Sequence, residues 1–549
     1  MPSIAVIAVG LLAAYCATFV YKFVRNYINA RKTGLPMIFV PWDQNSFFWM
    51  AFSVPLRPHL QKWLPKWIMT EMVTSDPEIA HEILRRPRDF VQHSLMDLFM
   101  ARFGRNVLTT NGDHWARQRR IVASAINERI SKAVFNESVK QTDELLSVVY
   151  RGAKDKAAET NGIFDMIKKV TIHVLNGAGM GESVPFENDA SLKPKPGYEL
   201  SYIEAVKAII YNVAGPIILP EWFLSNYPKF LPGHLNLKTL GHAIHEFPSL
   251  TNDMLDQERH RAANSKTGES RSNIMSQLLQ ASESEGRAEG KKVLSDEEMT
   301  GNLFIFTAAG FDTTANTLSY AVALLARYPE WQDWLLEEID QILPADATNQ
   351  ELDYAAVFPK ATRVVAFMFE TLRLFTPLVH IAKQTGATPQ VIKTSKGTYT
   401  IPAYTTTYIN CVALHLNADI WRNINLEDTD SASHDDELRF RPTRWLNPSG
   451  SSQMHFQPPK GAYLPWSAGP RVCPGQKMAQ VEFTAVILIL LRRSRAEAVP
   501  LPGEDTAQVK HRLDARMKNS VSILTLQMDG VYDATSEDKG LKLRLARRK

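Results

Sequence analysis

The chain opens with an apolar block. Residues 4–21, IAVIAVGLLAAYCATFVY, hold no charged side chain. As a helix the block is about 27 Å long, which matches a thin endoplasmic-reticulum bilayer. Lys22, Arg25, Arg31 and Lys32 follow it, and no charge precedes it. The positive-inside rule then places everything after Tyr21 in the cytosol. A cleaved signal peptide would carry a basic n-region, and here the basic flank is on the other side. Gly34-Leu35-Pro36 breaks any helix and ends the linker. The pattern therefore predicts a membrane anchor with a basic linker over 1–33 and one large domain over 34–549.

Behind the linker the periodicity is mostly that of helices, for example at 113–127, 136–152 and 200–213. The run 205–240 carries Pro216, Pro220, Pro228 and Pro232 and reads as broken and loop-rich. Residues 262–294 are polar and read as an exposed connection with one short apolar helix at 274–279. Then Ser295 and Glu298 form an S-x-x-E capping box, and Leu294 with Met299 suits a hydrophobic staple. From Asp296 to Tyr328 no proline interrupts the pattern. Its middle, LFIFTAAGF, is apolar all round, as expected of a helix buried in a large core. Pro329 starts another helix. Short β-type runs occur at 390–401 and 521–526. The fold class predicted is mainly α with minor β.

Composition narrows the function. A chain of 549 residues with 45% hydrophobic and 22% charged residues is ordinary globular protein. A net charge of +4 gives no reason to expect nucleic acid as a partner. Three cysteines, Cys16, Cys411 and Cys473, make no disulfide framework and point to a reducing compartment.

Four short segments carry candidate chemistry. In WSAGPRVCPG, glycines and prolines crowd Cys473, and Arg471 sits two places before it. A lone sulfur in a stiff loop with exposed N–H groups cannot fill a structural zinc site. It suits a single axial thiolate on an iron, where N–H donors tune the sulfur and thiolate donation favours O–O cleavage. Arg471 could then neutralise a haem propionate. A structural cysteine in a turn is the bland alternative. The second segment is Ala309-Gly310-Phe311-Asp312-Thr313-Thr314 in the long helix. Helical spacing puts Thr313, Ala309, Phe306 and Asn302 on one face. A threonine hydroxyl there can bond back to the i−4 carbonyl and bend the helix. A packing glycine beside a solvated aspartate remains open. The third is Glu370-Thr371-Leu372-Arg373, an i, i+3 pair inside an apolar run. The fourth is Trp115-Ala116-Arg117-Gln118-Arg119, whose ends share a helix face; simple aromatic–arginine stacking is the alternative.

Together, and in this order, these segments resemble the motifs of the cytochrome P450 family. Gly469-x-Arg471-x-Cys473-x-Gly475 followed by an apolar helix is similar to the family's haem-binding loop, with Trp466 where a Phe is usual. The resemblance implies haem b (iron protoporphyrin IX) with Cys473 as axial iron ligand. It implies that Asp312 and Thr313 deliver protons to dioxygen, and that Trp115 and Arg119 hold a propionate. It nominates Arg444 of FRPTRW as partner of Glu370 and Arg373 in a structural triad, and Lys383 as a further cation toward a propionate.

The expected activity is that of a membrane-anchored haem-thiolate monooxygenase acting on an apolar small molecule. Its electrons would come from NADPH through a separate NADPH–cytochrome P450 reductase, with cytochrome b5 as an additional donor. Arg117, Arg120 and Lys477 are candidate docking cations for that partner, and the lipid bilayer of the endoplasmic reticulum is the expected location. The wording of the loop is most like fungal microsomal members, many of which tailor secondary metabolites. Rival readings are a reductase-independent haem-thiolate isomerase or dehydratase, and a haem-binding sensor or lipid carrier without turnover. Substrate specificity is expected from 90–112, 205–240, 304–311 and 378–380.

Overall fold

The computed structural model describes residues 72–548 except 94–95, 98–99, 152–156, 161, 188–192, 213–220, 228–233, 265–271, 290–293, 344–350, 427–433, 448–453, 523–524 and 529–541, with part of 10–35. In chain order its main elements are β1 (Met72–Thr74), α1 (Pro77–Arg85), β2 (Phe90–Gln92), α2 (Gly112–Ala125), α3 (Glu128–Arg151), β3 (Ala157–Thr160), α4 (Ile163–Val174), α5 (Tyr202–Tyr211), α6 (His234–Asn264), α7 (Ile274–Glu289) and α8 (Asp296–Arg327). There follow α9 (Pro329–Ile342), α10 (Thr362–Leu374), β4 (His380–Thr385), β5 (Gln390–Thr394), β6 (Gly397–Ile401), β7 (Thr406–Asn410), α11 (Gln476–Arg493), β8 (Ser494–Ala498), α12 (Thr506–Lys518), β9 (Ser520–Ser522), β10 (Leu526–Met528) and β11 (Leu543–Arg547).

Helix α8 organises the molecule. Ser295 Oγ accepts the Glu298 N–H at 3.1 Å and the Glu298 carboxylate accepts the Ser295 N–H at 3.0 Å, closing the capping box. Three acids fill the first turn and Arg327 the last, both favourable to the helix dipole. The 32 residues extend about 48 Å. The N-terminal half packs into an apolar cluster with α5, α6 and α7, through residues such as Leu303, Phe304 and Phe311. The C-terminal half, Leu318 to Ala326, packs into a second cluster with α3, α9, α10 and α11. In the first cluster Phe103, Phe247 and Phe304 meet ring to ring, with centroids 4.6 to 5.4 Å apart.

The sheets are small. One has strand order β1-β7-β4-β2, with β1 and β7 parallel and the other pairs antiparallel. Strands β5 and β6 form a hairpin, β9 and β10 another, and β3-β11-β8 a third small sheet. The fold is thus mainly helical with minor β.

Two expectations need correction. The short apolar helix expected at 274–279 is present but runs on to Glu289, and Ile274, Met275, Leu278 and Leu279 are core residues, not part of an exposed connection. Their polar neighbours hid a buried face one to two turns long. Where 205–240 is described it is largely helical: α5 reaches Tyr211, a short helix spans Glu221–Ser225 and α6 begins at His234, while 213–220 and 228–233 lie outside the described residues. Among the described residues no helix is long and apolar enough to cross a membrane. The expected span over 4–21 falls largely outside those residues.

One buried acid in α11 gives a stability prediction. Glu482 is enclosed, and its Oε1 has no hydrogen-bond partner among the described residues. Burial pushes its carboxyl up from 4.5 to about 8. Between those values the folded chain keeps a proton that the unfolded chain releases, so stability falls as pH rises through that window. Glu482→Gln should abolish that fall, a difference on the order of 2–4 kcal/mol between pH 5 and 8. Thermal unfolding of both proteins across this range measures it, and parallel curves would refute it.

Candidate active site

A buried carboxylate fixes the ground on which the cysteine loop stands. Glu370 and Arg373 are one turn apart on α10, and both are fully enclosed. Arg373 donates through Nε and Nη2 to Glu370 at 2.8 and 2.9 Å, and Arg444 donates through Nε at 3.0 Å. The Trp445 indole N–H and the Arg441 backbone N–H add two bonds of 2.9 Å. Burial alone would raise the carboxyl, but Arg373 and Arg444 bring it down to about 2. Arg444 also reaches Asp436 at 3.0 Å, a partner the sequence reading did not name.

The loop hangs from this cluster. Arg373 donates to the His415 carbonyl at 3.0 Å. The His415 ring accepts the Leu464 N–H through Nε2 at 2.8 Å, so its proton is on Nδ1. Tyr463 donates its hydroxyl to the Phe369 carbonyl at 2.9 Å. On the other side α1 presses against the loop. A Cβ at Gly461 would stand 2.0 Å from the Pro77 carbonyl oxygen, and one at Gly469 2.5 Å from that of Leu84. Both glycines have positive φ, 85° and 67°. The Trp466 ring meets Phe369 edge-on at 6.2 Å, and its carbonyl accepts the Cys473 N–H at 2.9 Å.

Cys473 has an accessible sulfur, although protein closely surrounds it. That enclosure pushes the thiol up. The N–H groups of Gly475 and Gln476 and the charge of Arg119 oppose the rise. Cys411 is the contrast. It is buried in an apolar cluster, and burial pushes its thiol to about 12. Cys16 lies outside the described residues.

Three cations gather beside the loop. Arg471 donates through Nη2 to the Thr110 carbonyl at 2.7 Å and to Asn111 Oδ1 at 2.9 Å, and its guanidinium stacks 4.4 Å from the Trp115 ring. Its Nε is buried without a hydrogen-bond partner among the described residues. Lys383 donates to Gln92 Oε1 at 2.6 Å. Burial and then Arg119 lower Arg471 to about 10; burial and then Arg471 lower Lys383 to about 7. Burial also lowers Arg119, against the pull of Cys473. Among the described residues no carboxylate is in ion-pair range of Arg119, Arg471 or Lys383. Buried charges need partners, and a group with two carboxylates, such as haem, fits this set.

On α8 the accessible positions between Met299 and Ala326 are Phe306, Ala309, Gly310 and Thr313. They form one narrow stripe of mostly small side chains. Thr313 Oγ1 bonds back to the Ala309 carbonyl at 2.9 Å. Asp312 is not on the stripe. It is buried, and its Oδ2 accepts the Thr525 hydroxyl at 2.6 Å. Asn302, expected on the same face as Thr313, is fully buried. Its Oδ1 accepts the Val107 N–H at 3.1 Å and its Nδ2 donates to Gln118 at 2.9 Å. The reason is position along the axis, about 16 Å from Thr313, where the segment carrying Gly104 and Val107 covers the helix. Arg117 is bonded to Glu298, so it is not a free docking cation.

The comparisons agree with this geometry. A family profile described as Cytochrome P450 matches residues 63–513. The chain is 38% identical over 598 aligned residues, with 100% of both chains covered, to the phomenoic acid biosynthesis cluster cytochrome P450 monooxygenase of Leptosphaeria maculans. It is 29% identical to cytochrome P450 monooxygenase 124 of Postia placenta, covering 82% of this chain and 79% of that one. The crystal structure of the cytochrome P450DA heme domain superposes with a TM-score of 0.62 at 18% identity, over 87% of this chain and 88% of that one, a likeness of fold. The chain therefore belongs to the cytochrome P450 family, monooxygenases that bind haem through a cysteine thiolate.

Proposed function

We propose that Cys473 is the iron ligand, that Arg471, Arg119 and Trp115 hold the propionates with Lys383, and that Asp312 and Thr313 manage protons on the oxygen side. The observation that carries this reading is the accessible Cys473 sulfur with two N–H donors and Arg119 beside it. Haem, when bound, supplies the oxygen-activating chemistry. One atom of O2 enters a C–H bond of an apolar substrate and the other leaves as water, with NADPH giving two electrons through a separate reductase. Thr313 places a hydroxyl on the small-residue stripe, and its back-bond to Ala309 fixes where the oxygen lies. Asp312 places a carboxyl group one residue away.

The name of the Leptosphaeria relative supports a tailoring step in secondary metabolism. For the electron donor we propose NADPH–cytochrome P450 reductase or cytochrome b5, docking through exposed Arg120 and Lys477. The apolar block 4–21 and its basic flank support an anchor in the endoplasmic-reticulum membrane with the catalytic domain in the cytosol. NADPH consumption dependent on added reductase separates this reading from an isomerase, a dehydratase or a non-catalytic haem carrier.

Cys473→Ala should abolish the ferrous–CO band diagnostic of thiolate-ligated haem, and Cys411→Ala should leave it. A normal band in the Cys473 variant would end this reading.

Removal of residues 1–33 should release the protein from membranes while the same CO band persists. Loss of haem on truncation would make the anchor part of the core.

Thr313→Ala should leave haem reduction nearly unchanged and send electrons to peroxide. Product per NADPH should fall about tenfold or more, the scale of a lost acid–base group. An unchanged ratio would mean that Thr313 only shapes the helix.

A further inference from the structure

The geometry points to Thr525 as a positioning residue that holds the Asp312 carboxylate by Oδ2 and leaves Oδ1 as the atom that takes and gives the proton. This deepens the relay reading of Asp312 and rests on it. Asp312, Asn316 and Thr525 are each buried. Asn316 Nδ2 lies 2.7 Å from Thr525 Oγ1 and 3.4 Å from Asp312 Oδ2. An amide nitrogen can only donate, and turning the amide over would set its oxygen against the carboxylate. Asn316 therefore donates to the threonine oxygen. The single hydroxyl proton of Thr525 then goes to Asp312 Oδ2, at 2.6 Å, a charge-assisted length. Oδ1 of Asp312 is buried without a partner among the described residues. A proton arriving at this carboxyl finds Oδ2 already bonded and settles on Oδ1.

The anchor of this hydroxyl lies far away in sequence. Thr525 directly precedes β10, and the next residue donates its N–H to the Pro377 carbonyl at 2.9 Å. Ser520 on β9 shares a 2.6 Å hydrogen bond with Tyr320 of α8. The β9–β10 hairpin is thus tied to α8 at two levels and to the segment before exposed Leu378 at a third. Lys168 of α4 also acts on Asp312 electrostatically, and it is itself influenced by Asp165 and Lys207. The Thr525 hydroxyl sets which oxygen of the Asp312 carboxyl holds the proton.

The test compares Thr525→Val, Thr525→Ser and Asp312→Asn in the haem-loaded enzyme with added reductase and NADPH and no added substrate. The readouts are peroxide formed per NADPH consumed, the solvent isotope effect on NADPH consumption, and the thermal midpoint of each variant and of the Val/Asn double variant. Asp312→Asn should raise the peroxide fraction several-fold and alter the isotope effect. Thr525→Val should do the same, and Thr525→Ser, which keeps the donor, should restore the parent values. The thermal losses of the Val and Asn substitutions should be less than additive, because Val removes the hydroxyl and Asn the charge of one charge-assisted bond. An unchanged peroxide fraction in Asp312→Asn would sink the relay reading itself. A response in Asp312→Asn but none in Thr525→Val would overturn the positioning role alone. Equal defects in the Val and Ser variants, or additive thermal losses, would overturn it as well, since packing of the hairpin would then be the cause.

Discussion

A carboxylate with no access to water holds the cysteine loop in place. Glu370 is stable there only because two guanidinium groups, an indole N–H and a backbone N–H converge on it. The guanidinium groups have donors to spare, and Arg373 and Arg444 use them on the carbonyls of His415, Glu437, Arg439, Trp421 and Asp436. Short helical turns and the loop at Arg439 are thereby tied to α10. His415 passes the constraint on to Leu464, two residues before the Trp466 carbonyl that receives the Cys473 N–H. The sulfur is thus placed by a chain of short, directional bonds that begins at one buried negative charge.

Helix α8 performs the complementary task. Two apolar cores grip it along its length, and only four positions between 299 and 326 remain accessible. Three of those four are Ala309, Gly310 and Thr313, so whatever approaches the stripe meets backbone closely. Behind the stripe, Leu175 of the π-helical turn Leu175–Met180 that extends α4 faces Gly310, where a Cβ would stand 3.5 Å from the leucine side chain. The helix is thin in front and supported behind. In that setting a threonine hydroxyl bonded to the i−4 carbonyl keeps a fixed position without a partner from another element.

Much of α8 was legible in the sequence because its signals are local. A capping box, an uncharged centre and the proline at 329 predict 296–328, and the helix ends at Arg327. The Glu370–Arg373 pair was legible for the same reason, whereas the cation stacked on Trp115 is Arg471, from a distant segment. What escaped was long-range. Strand β1 pairs with β7 across most of the chain, and each is only three to five residues long, too short for alternation to announce it. Asp436 and Thr525 meet their partners only through folding. Only 274–279 of the helix over 274–289 was legible, and its burial was not, because a helix with one short buried face carries mostly polar residues. Asn302 misled differently: its angular position was right, but a covering segment cannot be seen in helical spacing.

The contact between α1 and the cysteine loop distributes mutational tolerance unequally. From the helix side the contact uses the carbonyl oxygens of Pro77 and Leu84, atoms that every amino acid supplies. From the loop side it needs the missing side chains of Gly461 and Gly469. As far as this interface is concerned, descendants of the chain can change positions 77 and 84 freely while 461 and 469 stay fixed. Sequence drift on one partner is invisible to the other, and α1 can diverge to meet new demands at the surface without disturbing the sulfur.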